Sequence, residues 1–261
     1  IPKGFVPEQD TDQLAVTTEA IQGTAFDQMS VYQKHVAEIV SKDPDVDSLV
    51  ATVGGPSASV LGGPNIGQVV AHLKPRSERK VLVGDIIERL RPQLSAIPGV
   101  RVYLQNPPVL RIGGQVTKSL YQFTLQSPDK TELYDAAERL VNALEAEPSL
   151  IDVTSDMQTR APQVEVKIDR DKAAALQVSA QAVENTLYDA YGPRWVSTIY
   201  SNVSEYKVLL ELLPQYQTDP KALSMLYFKA PTGRLIPLDS LADINEVVGP
   251  QAISHSGQLP A

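Results

Sequence analysis

Three times along the chain an amphipathic helical stretch runs into a proline, an apolar residue follows two positions on, and a strand-like run comes next. The segments are SKDPDVDSLVATV, SAIPGVRVYLQ and EAEPSLIDVTS, with prolines at 44, 98 and 148. A recurrence at about 50 residues marks a repeated supersecondary unit. Each unit contains a helix with one face to bury. Leu82, Ile86, Leu90 and Leu94 recur every four residues in the second, Leu133, Ala137, Leu140, Val141 and Leu144 form the stripe of the third, and Phe26, Met29, Val36 and Val40 give a sparser first stripe. Strand candidates precede the helices: DQLAVTTEA, GQVVAHLKP and SLYQFTLQS.

Strand, helix, strand, repeated once, makes a split β-α-β sandwich, the ferredoxin-like α+β arrangement with two helices on one face of a four-stranded sheet. Residues 11 to about 106 complete one such sandwich. The third unit, 119–157, opens a second copy whose other unit does not follow before Ala261. A half sandwich leaves a sheet edge and a helix face uncovered, so the expectation is a second half encoded beyond the C-terminus. From Pro162 the texture changes. QVEVKIDRD alternates as a strand, and Ser179 is placed to cap a helix over AQAVENTLYDAYG, with Val183, Leu187 and Tyr191 inward and Gly192 ending it. RWVSTIYS and EYKVLLELL flank Asn202 as a hairpin, and Pro231-Thr-Gly233 and Gly249-Pro250 punctuate short strands. This region reads as a separate α+β domain inserted into the unfinished sandwich.

A chain of 261 residues can bury the cores this organisation needs, in two or three domains. The formal charge of −8 excludes a nucleic-acid partner, whose phosphates demand a Lys/Arg surplus. Zero cysteines remove disulfides, thiolate metal sites and a cysteine nucleophile, while leaving the compartment open. No apolar run reaches the roughly 18 residues that span a bilayer. The N-terminus, IPKGFVPEQD, has neither an initiator Met nor a signal sequence, which predicts an internal piece of a longer protein.

Catalytic chemistry is not evident. His35, His72 and His255 fall on a helix, a strand and the tail, and read as structural. Asp43-Pro-Asp45-Val-Asp47 imitates a calcium loop, but Ser48 and Gly54 stand where such a loop needs Gly and Glu. Asp169 and Asp171 sit at a strand-to-helix junction and suit capping, and Asn202-Val-Ser204 matches a glycosylation sequon by its shortness alone. The residues point to no catalytic group, metal or cofactor. One segment stands out: VGGPSASVLGGPNIG, 53–67, with five glycines, two prolines and no charge. It lacks both GxxxxGK and GxGxxG, so it is not a phosphate cradle. It joins the two halves of the first sandwich, where about two to six residues suffice. It is either a slack connection or a mobile element carrying Val60 and Leu61.

IPKGFVPEQDTDQLAV, LKPRSERK, RIGG, SLYQFTLQS, PQVEVKIDRDKAAALQVS and RLIPLDSLADI together resemble, in order, the second large periplasmic loop of resistance-nodulation-division (RND) multidrug efflux transporters, most closely the MdtB/MdtC-like branch. The resemblance covers essentially the whole chain. It implies a porter subdomain at 1–115, the first half of a second at 116–160, an inserted docking subdomain at 161–252, and the return to the second porter subdomain at 253–261. It further implies a glycine-rich switch loop on Gly54, Gly55, Gly62, Gly63 and Gly67, with Val60 and Leu61 at its tip. The other substrate-facing positions it implies are Ala15, Thr17 and Glu19 on the first strand, Val102, Leu104 and Asn106 on the strand leaving the first sandwich, Arg111 beyond it, and Thr154 in the second subdomain.

The implied function is non-enzymatic: substrate binding and conduction in a proton-driven pump on the periplasmic face of the bacterial inner membrane. The implied partners are small amphiphilic substrates, the neighbours of a parent trimer, a periplasmic adaptor (membrane fusion) protein and an outer-membrane channel. The proton-carrying carboxylates would sit in membrane helices outside this chain. The chain departs from the drug pumps of the family in having four Phe and none in the loop, which shifts the expected cargo toward smaller or more polar amphiphiles. The alternative is a ligand-sensing regulatory module on paired ferredoxin-like domains; an acylphosphatase-like enzyme on that fold would need the phosphate loop that is missing here.

Overall fold

The computed structural model describes residues 9–54, 63–107, 118–119, 121–192, 194–250 and 252–261. The chain divides into two compact units, Ile1–Ala161 with Pro250–Ala261, and Pro162–Gly249.

The first unit contains an antiparallel sheet of β1 (Gln13–Ala20), β2 (Val46–Val53), β3 (Ile66–Leu73) and β4 (Val100–Gln105), in the order β2-β3-β1-β4. Helices α1 (Phe26–Ser41) and α2 (Val83–Ser95) provide the crossovers, so the first sandwich is the ferredoxin-like one that the repeat predicts. Along β1 every second residue is buried, and Leu14, Val16 and Ala20 join one core with Val69, Ala71, Met29, Val36, Val40, Val83, Ile86, Leu90 and Leu94. Each Val, Leu, Ile or Met side chain among them contributes about 1.5–3 kcal/mol by leaving water. The buried stripes are shifted from those the spacing predicts. In α2 the core takes Val83, and Leu82 is the exposed residue before the helix, its N–H donated to Asp85 Oδ2 at 2.8 Å. In α1 Phe26 is exposed at the first turn, and Gln33 fills the position between Met29 and Val36.

Gln33 is tolerated there because Thr18 on β1 donates to its Oε1 at 2.6 Å. Gly67, predicted as part of the mobile loop, instead lies within β3, opposite Thr18. A Cβ on Gly67 would stand 2.6 Å from Gln33 Oε1 and 2.7 Å from Thr18 Oγ1, so the helix approaches the sheet closely only over a glycine. Two arginines pin the periphery. Arg79, fully buried, bonds Asp10, Asp12 and the carbonyls of Lys74 and Val81. Arg89 on α2 grips Asp43 through two hydrogen bonds, at 2.9 and 2.7 Å, and Asp45 at 2.7 Å. The imitation calcium loop is thus an arginine-bound turn.

The third repeat departs from prediction. Helix α3 (Lys130–Glu145) forms, capped by Asp129 Oδ1 accepting from the Thr131 N–H at 2.8 Å. Only Leu133 is buried; Ala137, Leu140, Val141 and Leu144 are half-buried. The strands expected in SLYQFTLQS and LIDVTS are absent among the described residues, and Tyr121 and Phe123 lie exposed. Alternation cannot hold a strand whose backbone lacks ladder partners. What anchors this stretch comes from far along the chain: the Ser127 N–H donates to the Pro260 carbonyl at 3.3 Å, beside the short pair β11 (His255–Ser256) and β12 (Leu259–Pro260).

In the second unit β5 (Ala161–Ile168) pairs with β10 (Ala242–Gly249). Asp169 accepts from the Lys172 N–H at 3.0 Å and starts α4 (Arg170–Ala175), the capping its place at a strand-to-helix junction suits. Ser179 caps α5 (Ala180–Tyr191) by accepting from the Ala182 N–H at 3.1 Å, and Gly192 ends it. The hairpin β6 (Arg194–Tyr200) with β7 (Glu205–Leu210), and β8 (Tyr227–Lys229) with β9 (Leu235–Pro237) turning at Gly233, follow the predicted punctuation. Val183, Leu223, Phe228, Ile236, Leu238 and Leu241 are its core. No helix of the described residues is long and apolar enough to cross a membrane.

Candidate functional site

Strand β4 is the sheet edge, and its pairing with β1 decides which residues share a face. Ala15 lies opposite Gln105, Thr17 opposite Tyr103 and Glu19 opposite Arg101, while Val16 faces Leu104 and Thr18 faces Val102. Directly opposed residues project to the same side. Ala15, Thr17 and Glu19 therefore stand half-buried on the helix-free face, and Leu104 does not join them: it lies in the core beneath the helices. Val102 also points to the helix side, packed partly against the core. The β4 residues on the face of Glu19 are Arg101, Tyr103 and Gln105. VRVYLQ concealed this because it is apolar at both parities.

Around Tyr103 a compact polar cluster forms. Lys118 Nζ, on a side chain only 4% exposed, lies 2.5 Å from Glu19 Oε2 and 5.7 Å from the centre of the Tyr103 ring. Burial pushes the Tyr103 phenol above its ordinary range; Thr154 nearby opposes the shift and the Glu19 charge adds to it. Tyr103 is 5% exposed, and its hydroxyl has no partner in hydrogen-bond geometry among the described residues. Glu19 and Thr154, far apart in sequence, thus meet around a tyrosine and a lysine that no motif singles out.

Beside this cluster runs an open groove of about 330 Å³, bounded by β4 at Val100–Tyr103, the end of α3 at Glu145, and Leu150, Asp152 and Val153. Val102 reaches it from the strand edge. Among the described residues three ion pairs cross between the first sandwich and residues 118–152: Glu19 with Lys118, Arg91 with Asp152 at 2.7 Å, and Arg101 with Glu145 at 3.8 Å. Ser119 Oγ also donates to the Asp152 carbonyl at 3.1 Å, where Asp152 holds a φ of +58°.

The other site candidates lie apart from the groove or outside the described residues. Asn106 follows β4 and donates its amide to the Gln9 carbonyl at 3.1 Å. Gly54, with a φ of +48°, closes the loop base, its N–H donated to the Ile66 carbonyl at 2.9 Å, while the Gly63 carbonyl accepts from the Ile66 N–H. Gly55, Val60, Leu61, Gly62 and Arg111 lie outside the described residues. Among the described residues no group of three His, Cys, Asp or Glu is arranged to hold a metal ion.

The fold is similar to that of a heavy metal efflux pump in two crystal forms. Form II superposes with a TM-score of 0.83 at 20% identity over 98% of this chain and 27% of the pump. Form I gives 0.80 at 20% identity over 96% and 27%. The chain thus spans about a quarter of the length of the pump it matches. The sequence profile of the AcrB/AcrD/AcrF family matches from residue 1 to residue 261, and the chain belongs to that family.

Proposed function

We propose that this chain is the periplasmic substrate-binding and conduit portion of a proton-driven RND pump for multiple amphiphiles, of the MdtB/MdtC-like branch. In this reading 1–115 and 116–160 are successive porter regions, 161–252 docks toward an adaptor protein and an outer-membrane channel, and 253–261 returns to the second porter region. The parent works as a trimer at the inner membrane. The observation that carries the reading is the groove at the edge of β4, lined by Arg101, Val102 and Tyr103 and by Leu150, Asp152 and Val153, beside the cluster in which Glu19, Lys118 and Thr154 surround Tyr103. A junction held by ion pairs resolvates when it opens, so its two sides can separate at modest cost, and substrate shifts the population toward the state it binds better.

The test is made in the full-length parent pump. Val153→Trp fills the groove from its exposed side and should abolish resistance to its amphiphile substrates at unchanged membrane abundance. Resistance that survives a filled groove refutes it as the path.

A further inference from the structure

We propose that α2 is a jointed lever: its first turns are fixed to the segment preceding β1, Arg91 on it is the positioning residue for the far wall of the groove, and Pro92 is the joint that lets the groove change width. The inference rests on the reading of this groove as a substrate path and adds how its width is set.

Pro92 lies inside α2. A proline there has no N–H for the carbonyl four residues back, that of Glu88, and its ring crowds the same carbonyl, so this is where the helix bends at least cost. The Arg89 carbonyl, next along, takes a side-chain donor, Gln93 Nε2 at 3.4 Å. Leu90 and Leu94 sit in the core on either side of the proline, so both halves stay docked. What differs is how they are held beyond the core. Before the proline, the Val83 N–H donates to Asp10 Oδ2 at 3.1 Å, Asp10 is itself bonded by the buried Arg79, and Arg89 grips Asp43 and Asp45. After it, the helix runs to Ser95, which lines the groove, and a turn through Gly99, with a φ of +84°, feeds β4 at Val100.

Arg91 is the last residue before the joint, about 12 Å along the helix axis from Val83. Its Nη1 donates to both Asp152 oxygens, at 2.8 and 2.7 Å. Asp152 holds a φ of +58°, a left-handed conformation that is uncommon outside glycine and persists where the surroundings impose it. Two contacts impose it here: the Arg91 guanidinium on the side chain, and the Ser119 hydroxyl donating to the carbonyl at 3.1 Å. Leu150, Asp152 and Val153, which form this wall, thus take their place from α2. A bend at Pro92 carries Ser95 toward or away from a wall that Arg91 holds still, and the groove narrows or widens.

The chain has no cysteine, so nitroxides are placed cleanly at Lys34→Cys on α1 and Ser149→Cys beside the wall, both exposed, and the distance between them is read by double electron–electron resonance. The otherwise unaltered chain should give one narrow distance distribution. Arg91→Gln and Asp152→Asn should each broaden it about twofold, the two together no further, and Arg91→Lys should recover part of the order. The amide spectrum verifies that each variant is folded. Pro92→Ala restores the helical hydrogen bond and should raise the urea midpoint. The same change should nonetheless lower the resistance conferred by the full-length parent pump about fourfold or more, at unchanged membrane abundance. A proline of merely structural importance would give the stability gain with full resistance, and that result overturns the joint. Distances unchanged in Arg91→Gln and Asp152→Asn overturn the positioning role. In either case the groove reading stands as long as Val153→Trp abolishes resistance. If neither Val153→Trp nor Pro92→Ala reduces resistance, the groove reading falls and the lever with it.

Discussion

The Thr18 hydroxyl donates to Gln33 Oε1 at 2.6 Å in the core of the first sandwich, over a glycine that leaves it room. Gly67→Ala places a methyl against both polar atoms, and overpacking of that kind costs about 1–3 kcal/mol. The loss should shrink in the Gly67→Ala/Gln33→Ala double variant, because one of the two clash partners has gone and Thr18 is freed to turn away. Urea midpoints of the four proteins measure this non-additivity. Additive losses would mean that the strand and helix adjust independently.

The Arg79 staple predicts an acid sensitivity. Burial alone would raise the Asp10 carboxyl, but Arg79 and the N–H groups of Asp12 and Val83 outweigh it and hold the pKa below its ordinary 3.8. A carboxyl with a depressed folded pKa stabilises fully above its unfolded value, and that contribution disappears as pH falls through the lower, folded value. Asp10→Asn should therefore flatten the loss of stability between about pH 4 and pH 2. Arg79→Met, which leaves two acids facing a buried site, should cost about 3–5 kcal/mol at neutral pH. Unfolding midpoints at stepped pH test both; parallel curves for wild type and Asp10→Asn would refute the linkage.

How far these features could be read beforehand differs by residue. The inward face of α2 was legible because Ile86, Leu90 and Leu94 repeat at helical spacing among charges, and β1 because its burial alternates without interruption. β4 was not, since Val100, Val102, Tyr103 and Leu104 occupy both parities and only the ladder with β1 separates core from groove. SLYQFTLQS alternates as well as β1 does, yet among the described residues it has no ladder, because strand formation depends on a partner that alternation does not encode. Lys118 and Tyr103 carried no signal at all: a lysine beside a serine and a tyrosine in an apolar run acquire meaning only when Glu19 and Thr154 are folded next to them.

The Glu19–Lys118 pair should behave as a buried one. Glu19→Gln leaves an ammonium only 4% exposed without its counter-charge, at a cost of about 3–5 kcal/mol, whereas the reversed pair Glu19→Lys/Lys118→Glu should recover about half of it. Hydrogen exchange of the amides of 118–125 reads the effect locally. Faster exchange in Glu19→Gln and restored protection in the reversed pair are expected; unchanged exchange in both would show that the pair does not hold this segment to the sheet.

The parity of β4 makes the sharpest contrast. Leu104 belongs to the core, 5% exposed, and Leu104→Ala should cost about 2–5 kcal/mol through lost burial and the cavity left behind. Thr17 lies opposite Tyr103 on the half-buried face, and Thr17→Ala should change stability by only about 0.5–1 kcal/mol. The two variants should divide in the opposite sense when amide shifts are mapped. Leu104→Ala spreads its effect through α1 and α2, while Thr17→Ala confines it to the strand face and to residues 118–119 and 152–154. A Leu104→Ala protein as stable as wild type, with shifts gathered on the groove, would place Leu104 back among the substrate-facing residues and reverse the assignment of the two faces.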